Sequence, residues 1–178
     1  LDGIKQQQLY RSRQVIEGPQ GAKVTIDGLS YDNFSSNDYL GLANHPKVAA
    51  AFKRAVDGYG VGSGSAHLIC GHSHQHHALE EELAAFTGRE RALVFATGYM
   101  ANLGVIAGLL SKGDEVLQDK LNHASLIDGG LISGARFRRY PHGDLTRLEQ
   151  LLQQSTVEKK LIVSDGVFSM DGDQADLK

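Results

Sequence analysis

The chain contains 178 residues, with 18 Lys and Arg against 21 Asp and Glu and a formal net charge of -3. A hydrophobic fraction of 41% and a charged fraction of 22% are typical of a globular protein rather than a disordered one. The charge balance argues against nucleic acid or an anionic membrane surface as a partner. No apolar run approaches the roughly 18 residues of a membrane span, and the single cysteine, Cys70, suits a reducing compartment. We therefore expect a cytoplasmic protein.

The beginning of the chain predicts an arm and a β-hairpin. Residues 1–17 carry scattered apolar side chains among polar ones, a pattern typical of a modest amphipathic helix or an arm. Residues 22–26 and 29–34 alternate with period two around Asp27 and Gly28, and Asp-Gly is a strong signal for a two-residue hairpin turn.

The remainder alternates between helical and strand patterns. A helix is predicted from Pro46 to about Gly58, and a glycine-rich loop leads to a second helix over about 74–87. Beyond it, the patterns predict strands over 91–96, 115–119, 135–140 and 160–164, and helices over 100–110, 123–132 and 144–154. This alternation indicates an α/β fold with a mainly parallel sheet and helices on both of its faces.

In such sheets, ligands bind beyond the carboxyl ends of the strands. Gly98 and Tyr99 follow the predicted strand at 91–96, where a helix N-terminus favours an anion, although a plain turn is the alternative. His123 follows the predicted strand at 115–119 and suits ring stacking or proton transfer, or else a capping or core role. Asp165 and Ser169 place a carboxylate and a hydroxyl after the last strand. Together, these turns predict a ligand site at one edge of the sheet.

Rival chemistries find less support in the sequence. The glycine-rich loop follows a helix and contains no Gly-x-Gly-x-x-Gly, which argues against a dinucleotide. No Gly-x-Ser-x-Gly elbow accompanies His123, which argues against a hydrolase. The pairs His76 with Glu80 and His77 with Glu81 could each form half of a metal site, but a polar loop and helix start is favoured, and we expect no metal.

Five segments occur in an order that resembles the α-oxoamine synthases. These pyridoxal-phosphate enzymes of fold type I join an amino acid to an acyl thioester and release carbon dioxide. The segments are Asn33–Leu42, Gly62–Ser65, Thr97–Tyr99, Asn122–Ser125 and Asp165–Gly172. The resemblance implies that residues 1–45 form an arm and hairpin, and that 46–178 form the N-terminal part of the large cofactor-binding α/β domain.

The resemblance also implies roles for individual residues. His123 matches the catalytic histidine stacked on the cofactor ring, and Gly98 and Tyr99 match the turn around the cofactor phosphate. Arg11 and Asn37 match substrate-side positions, Arg11 for a carboxylate. The implied cofactor contacts are Gly98, Tyr99, His123, Asp165 and Ser169. The family forms homodimers whose active site is shared between subunits.

Two segments indicate a branch of the family. Ser36–Tyr39 and His76–Leu83 look most like the members that condense L-alanine with pimeloyl-CoA or pimeloyl-ACP in biotin biosynthesis. The alternative is the branch that acetylates glycine, which shares the segments around His123 and Ser169.

The sequence also departs from the family pattern. It lacks the Asp-Asp-Ala-His-Gly stretch and the later lysine that binds the cofactor, and Lys120 is interpreted as a surface lysine. Residues 171–178 offer a helix cap and a first helical turn, and then the chain stops. We therefore expect about the N-terminal half of a longer enzyme, inactive by itself. A naturally lysine-lacking partner subunit is the alternative.

Overall fold

The computed structural model describes residues 1–177. The chain forms two compact units, Leu1–Gly71 and His72–Lys178. The division into 1–45 and 46–178 comes from the family resemblance and stays a prediction.

The first unit begins with the arm and the hairpin. Helix α1 (Asp2–Gln6) is confined to the start of the arm. Strands β1 (Lys23–Ile26) and β2 (Leu29–Asp32) pair antiparallel across a two-residue turn. Asp27 and Gly28 adopt φ angles of 50° and 73°, the left-handed values that such a turn requires. The predicted hairpin is confirmed.

The first unit continues with helix α2 (Pro46–Tyr59), where the sequence predicts it. The side chain of His45 accepts a hydrogen bond from the Lys47 N–H and so caps the helix. A π-helical turn then covers His67–Gly71, which the sequence patterns do not predict. It requires glycine at its end, because a Cβ at Gly71 would lie 1.9 Å from the carbonyl oxygen of Ser65.

The second unit contains a parallel sheet of three strands in the order β4-β3-β5. Asp119 lies opposite Tyr140, and Gln118 lies opposite Val163, so the carboxyl ends of the three strands meet at one edge. The elements of this unit are α3 (His74–Thr87), α4 (Gly98–Leu109), β3 (Glu115–Asp119), α5 (Ala124–Ile132), β4 (Arg136–Tyr140), α6 (Leu145–Gln154) and β5 (Lys160–Val163).

Helices cover both faces of this sheet, as predicted. All five residues of the central strand β3 are buried, and successive side chains point to opposite faces. Val116 packs in one apolar cluster with Ile106 of α4, and Leu126 of α5 packs against that cluster. Leu117 packs in a second cluster with Leu148 of α6.

Helix α5 approaches the sheet and α4 closely because it carries two adjacent glycines. A Cβ at Gly130 would lie 2.6 Å from Gln118 Nε2 and 2.7 Å from the Phe137 ring. A Cβ at Gly129 would lie 2.9 Å from Ile106 Cδ1. The close packing fixes α5, and therefore its first residues, over the carboxyl edge of β3.

The predicted strand at 91–96 is wrong. Residues 91–95 belong to no strand, Leu93 is 79% exposed, and the Val94 N–H donates to Glu80 Oε1 at 3.0 Å. A strand requires a neighbouring strand to pair with, and residues 91–95 pair with none of β3, β4 and β5, although within residues 1–177 the outer edges of β4 and β5 are open. An apolar run in the sequence predicts burial but does not supply that partner.

The predicted helical turn at 171–178 is also wrong over 171–177, and Lys178 lies outside the described residues. The Gly172 N–H donates to the Phe168 carbonyl at 2.8 Å, and Val167 bridges to Gln174. Gly172 has a φ of 75°. This left-handed value closes a tight turn and does not continue into a helix.

Candidate functional site

The side chain of Asn122 joins the ends of β3 and β5. Its Nδ2 donates to the Val163 carbonyl at 2.8 Å, and its Oδ1 accepts the Asp165 N–H at 3.1 Å. Asn122 is buried and follows β3 by three residues. The bridge holds the turn after β5 beside the turn after β3, so two of the candidate turns meet as the sequence predicts.

His123 lies at the centre of this edge and is tied to Asp165. The backbone N–H of His123 donates to Asp165 Oδ2 at 2.6 Å. Its Nδ1 accepts the Ser125 N–H at 3.2 Å and lies 2.7 Å from Ser125 Oγ. Asn102 of α4 donates to the same Oγ at 2.8 Å, so the serine hydroxyl is left to donate to Nδ1. These contacts fix the ring plane while the imidazole remains exposed.

The start of α4 lies next to His123. Thr97 Oγ1 accepts the Met100 N–H at 3.1 Å and caps the helix. The Tyr99 and His123 rings have centroids 6.4 Å apart and meet edge to face. The Tyr99 hydroxyl donates to Asp128 of α5. That hydrogen bond, together with desolvation and the charge of Asp128, raises the pKa of Tyr99, so the phenol stays protonated at neutral pH.

Sequence reasoning missed His142, which follows β4 at the same edge. Its Nδ1 lies 3.0 Å from Asp119 Oδ1, and its Nε2 lies 2.8 Å from Asp173 Oδ2. Burial alone would raise the pKa of Asp119, but the N–H groups of Leu121 and Gly143 and the His142 ring outweigh it, and the pKa is lowered. The signal in the sequence was a histidine two residues beyond a predicted strand end.

The remaining predicted site residues are placed less directly. Ser169 is exposed in a turn four residues beyond Asp165. Arg11 and Asn37 are exposed residues of the first unit, and Asn37 Oδ1 accepts the Tyr39 hydroxyl at 3.4 Å. Their roles at the site stay predictions.

A cluster of metal-ligating side chains lies elsewhere in the second unit. His72, His77 and Glu80 offer ligand atoms within 4.8 Å of one another, a set that differs from the predicted pairs. Glu80 already accepts the Val94 N–H, and His77 Nε2 lies 3.4 Å from Glu81. Of these three residues, Glu80 links α3 to residues 91–95. Within residues 1–177, no helix is both long enough and apolar enough to cross a bilayer.

The residues at the sheet edge fit a flat ring that carries an anionic group. The exposed His123 imidazole offers an oriented aromatic face for stacking. The first N–H groups of α4 have no partner within the helix, and a helix N-terminus attracts an anion. At Gly98 an added Cβ would meet nothing within 4 Å, so space is open for an anion to approach this terminus.

Sequence comparisons find close relatives. The family model described as aminotransferase class I and II matches residues 31–178. The chain is 64% identical over 177 residues to the 8-amino-7-oxononanoate synthase of Methylococcus capsulatus, covering 99% of the chain and 46% of the relative. It is 60% identical to that of Alcanivorax borkumensis, with the same two coverages. The chain thus spans about half the length of the curated relatives that it matches.

Solved structures confirm the predicted fold. A serine palmitoyltransferase variant from S. paucimobilis with a bound PLP–myriocin aldimine matches with a TM-score of 0.91 and 34% identity, over 99% of this chain and 45% of that one. The 8-amino-7-oxononanoate synthase of Francisella tularensis matches with a TM-score of 0.67 and 34% identity, over 80% of this chain and 39% of that one. The fold is that of the pyridoxal-phosphate-dependent aminotransferases.

Proposed function

Because the chain belongs to the aminotransferase class I and II family, we propose that the protein containing it is a pyridoxal-phosphate-dependent acyltransferase of biotin biosynthesis. It condenses L-alanine with pimeloyl-CoA or pimeloyl-ACP to give 8-amino-7-oxononanoate, carbon dioxide and the free thiol. The identity of 64% to a relative of that name, over nearly the whole chain, carries the proposal.

In this proposal, the sheet edge of the second unit binds the cofactor. The N-terminus of α4, at Gly98 and Tyr99, holds the phosphate through backbone N–H groups. His123 stacks on the pyridine ring, and its orientation is set by Ser125 rather than by the ligand. Asp165 lies beside His123 and shapes the edge of the ring site.

When bound, pyridoxal phosphate supplies an electron sink that stabilises negative charge developing at the α-carbon of the amino acid. The residues of this chain orient and bind. Asp165 accepts the His123 N–H and thereby fixes the backbone that carries the stacking ring. Tyr99 stays a neutral phenol whose one proton is donated to Asp128, and the bond raises its pKa further. Ser169, which is exposed beyond β5, provides a further cofactor contact.

Two residues of the first unit are proposed to face the substrates. Arg11 binds a carboxylate, since a guanidinium matches the geometry of a carboxylate with two parallel hydrogen bonds. Asn37 contacts the amino-acid substrate through its side-chain amide. The protein acts in the cytoplasm as a homodimer, with residues of both subunits at each site.

A non-catalytic partner subunit that lacks the cofactor-binding lysine is a second candidate for the natural protein. Intact mass measurement and peptide sequencing of the natural protein distinguish the two. A catalytic protein has roughly double the mass of this chain and contains the lysine, since the chain covers 46% of its relative. A partner subunit has no such lysine and co-purifies with a longer homologous chain.

Growth rescue tests the proposal. A bacterium that lacks its own 8-amino-7-oxononanoate synthase is expected to grow without biotin when it expresses the natural protein that contains this chain. The His123→Ala variant is expected to fail, while both strains grow when biotin is added. Absence of rescue by the soluble, expressed protein would contradict the biotin function and favour the glycine branch or the partner subunit. Rescue by His123→Ala would contradict the role of the ring.

A further inference from the structure

Residues 165–175, here called the β5 loop, carry Asp165 and Ser169, the two proposed cofactor contacts beyond β5. The loop closes on itself, because the Phe168 N–H donates to the Asp173 carbonyl at 2.9 Å. At one end, Asp165 is held by the turn after β3. The other end requires an anchor of its own if the loop is to stay against the sheet.

His142 supplies this second anchor. Its ring spans the gap between Asp119 at the end of β3 and Asp173 in the β5 loop, with nitrogen–oxygen distances of 3.0 and 2.8 Å. The ring also meets Phe168 edge to face, with centroids 4.4 Å apart. A neutral imidazole has one N–H and donates to one carboxylate only, whereas an imidazolium donates to both.

The surroundings of His142 favour its charged form. The ring lines a cavity of about 160 Å³ together with Asp119, Tyr140, Asp173 and Asp176, three acids and one phenol. Its hydrogen bond to Asp119 raises the pKa of His142 most; desolvation opposes the rise, and Asp173 and the charges of both acids add to it. Among the described residues that line this cavity, there is no Lys or Arg.

We propose that His142 is a positioning residue that, as an imidazolium between Asp119 and Asp173, fastens the β5 loop to the sheet edge and so keeps Asp165 at the His123 N–H. Its importance for the reaction rests on the proposed function, since Asp165 acts there through the cofactor site. The fastening itself is a property of this chain and does not depend on any ligand.

The proposal fixes the direction of the pH effect. The pKa of His142 is raised in the folded chain, so the fastening is complete below the ordinary histidine value of about 6.5. It is lost as pH rises through the raised folded value, because the neutral ring releases one of its two acids. The β5 loop is therefore held below the ordinary histidine value and released as pH rises through the raised pKa of His142.

Nuclear magnetic resonance of the histidine side chains tests the charge state directly. In the natural protein that contains this chain, with its histidines selectively labelled, the His142 ring is expected to titrate above the ordinary value and to carry protons on both nitrogens at pH 6. Asp173→Asn is expected to lower that titration, because it removes one of the two charges. Asp171→Asn, the same change at an exposed acid of the same loop, is the matched control and is expected to shift it less.

Amide hydrogen exchange tests the positioning. In His142→Phe, which keeps a ring against Phe168 but has no donor, exchange of the His123 amide is expected to accelerate about tenfold, the effect of losing one hydrogen bond. Asp173→Asn, a surface change that leaves the core intact, is expected to do the same. Titration of His142 at or below the ordinary value, or unchanged exchange of the His123 amide in both variants, would overturn the proposal. Neither readout involves cofactor or activity, so failure of the proposed function would leave them unaffected.

Discussion

Truncation of Asn122 to alanine removes the bridge on which the site geometry depends. The change leaves the Val163 carbonyl and the Asp165 N–H without the partners they have at 2.8 and 3.1 Å. Each unsatisfied group costs about 1–3 kcal/mol when buried. Both groups lie in partly buried residues that water reaches after truncation, so the lower end applies to each. We expect a loss of about 2 kcal/mol in the free energy of unfolding.

Urea unfolding of the chain, followed by circular dichroism, measures this loss as a lower midpoint with an unchanged slope. The matched control is Gln153→Ala, which removes an exposed amide that donates to Glu149 at 3.1 Å on the surface of α6. That variant is expected to stay within about 0.5 kcal/mol of the parent chain. If Asn122→Ala is as stable as Gln153→Ala, the bridge does not hold the two turns together and the reasoning is refuted.

Three further predictions follow from close packing and from charge. Gly130→Ala is expected to lower the free energy of unfolding in urea by about 1–2 kcal/mol, because overpacking against Gln118 exceeds the gain in helix propensity. In the control Gly108→Ala, an added Cβ meets nothing within 4 Å, and the free energy of unfolding is expected to rise by up to about 1 kcal/mol. Equal stability of the two variants would contradict this. Gly71→Ala is expected to abolish the π-helical turn, since its Cβ would overlap a carbonyl oxygen, and retention of wild-type amide chemical shifts there would contradict it. Asp119 has a lowered pKa, so its contribution to the free energy of unfolding is present above about pH 4 and is lost as pH falls through the lowered value. Asp119→Asn is therefore expected to flatten the acid side of the plot of stability against pH. An unchanged plot would contradict this.

Local features of the fold could be predicted from the sequence. The Asp27-Gly28 turn depends on two residues that tolerate positive φ, and helix α3 was predicted with the observed limits of about 74–87. A strand was predicted at 91–96 where the structure has none, because strand formation depends on a partner strand and not only on an apolar pattern. The π-helical turn ending at Gly71 depends on a contact with Ser65 that no periodicity reveals.

The arrangement of residues at this edge could be predicted only in part, for a related reason, and their roles stay predictions. Strand–helix alternation places the turns carrying His123 and Asp165 at one edge, and the structure brings the two residues together across 42 positions of sequence. The side chains that orient them could not be identified in advance. Asn102 reaches Ser125 from another helix, and His142 reaches two acids that lie 23 and 31 positions away. Such networks arise from tertiary packing.

The central claim concerns the reaction, and product identification tests it most directly. The natural protein that contains this chain is supplied with pyridoxal phosphate, L-alanine, glycine, and pimeloyl and acetyl thioesters together, and the amino-ketone products are identified by mass spectrometry. The account predicts that 8-amino-7-oxononanoate predominates and that free thiol appears in equal amount. Predominance of the product of glycine and the acetyl thioester would contradict it.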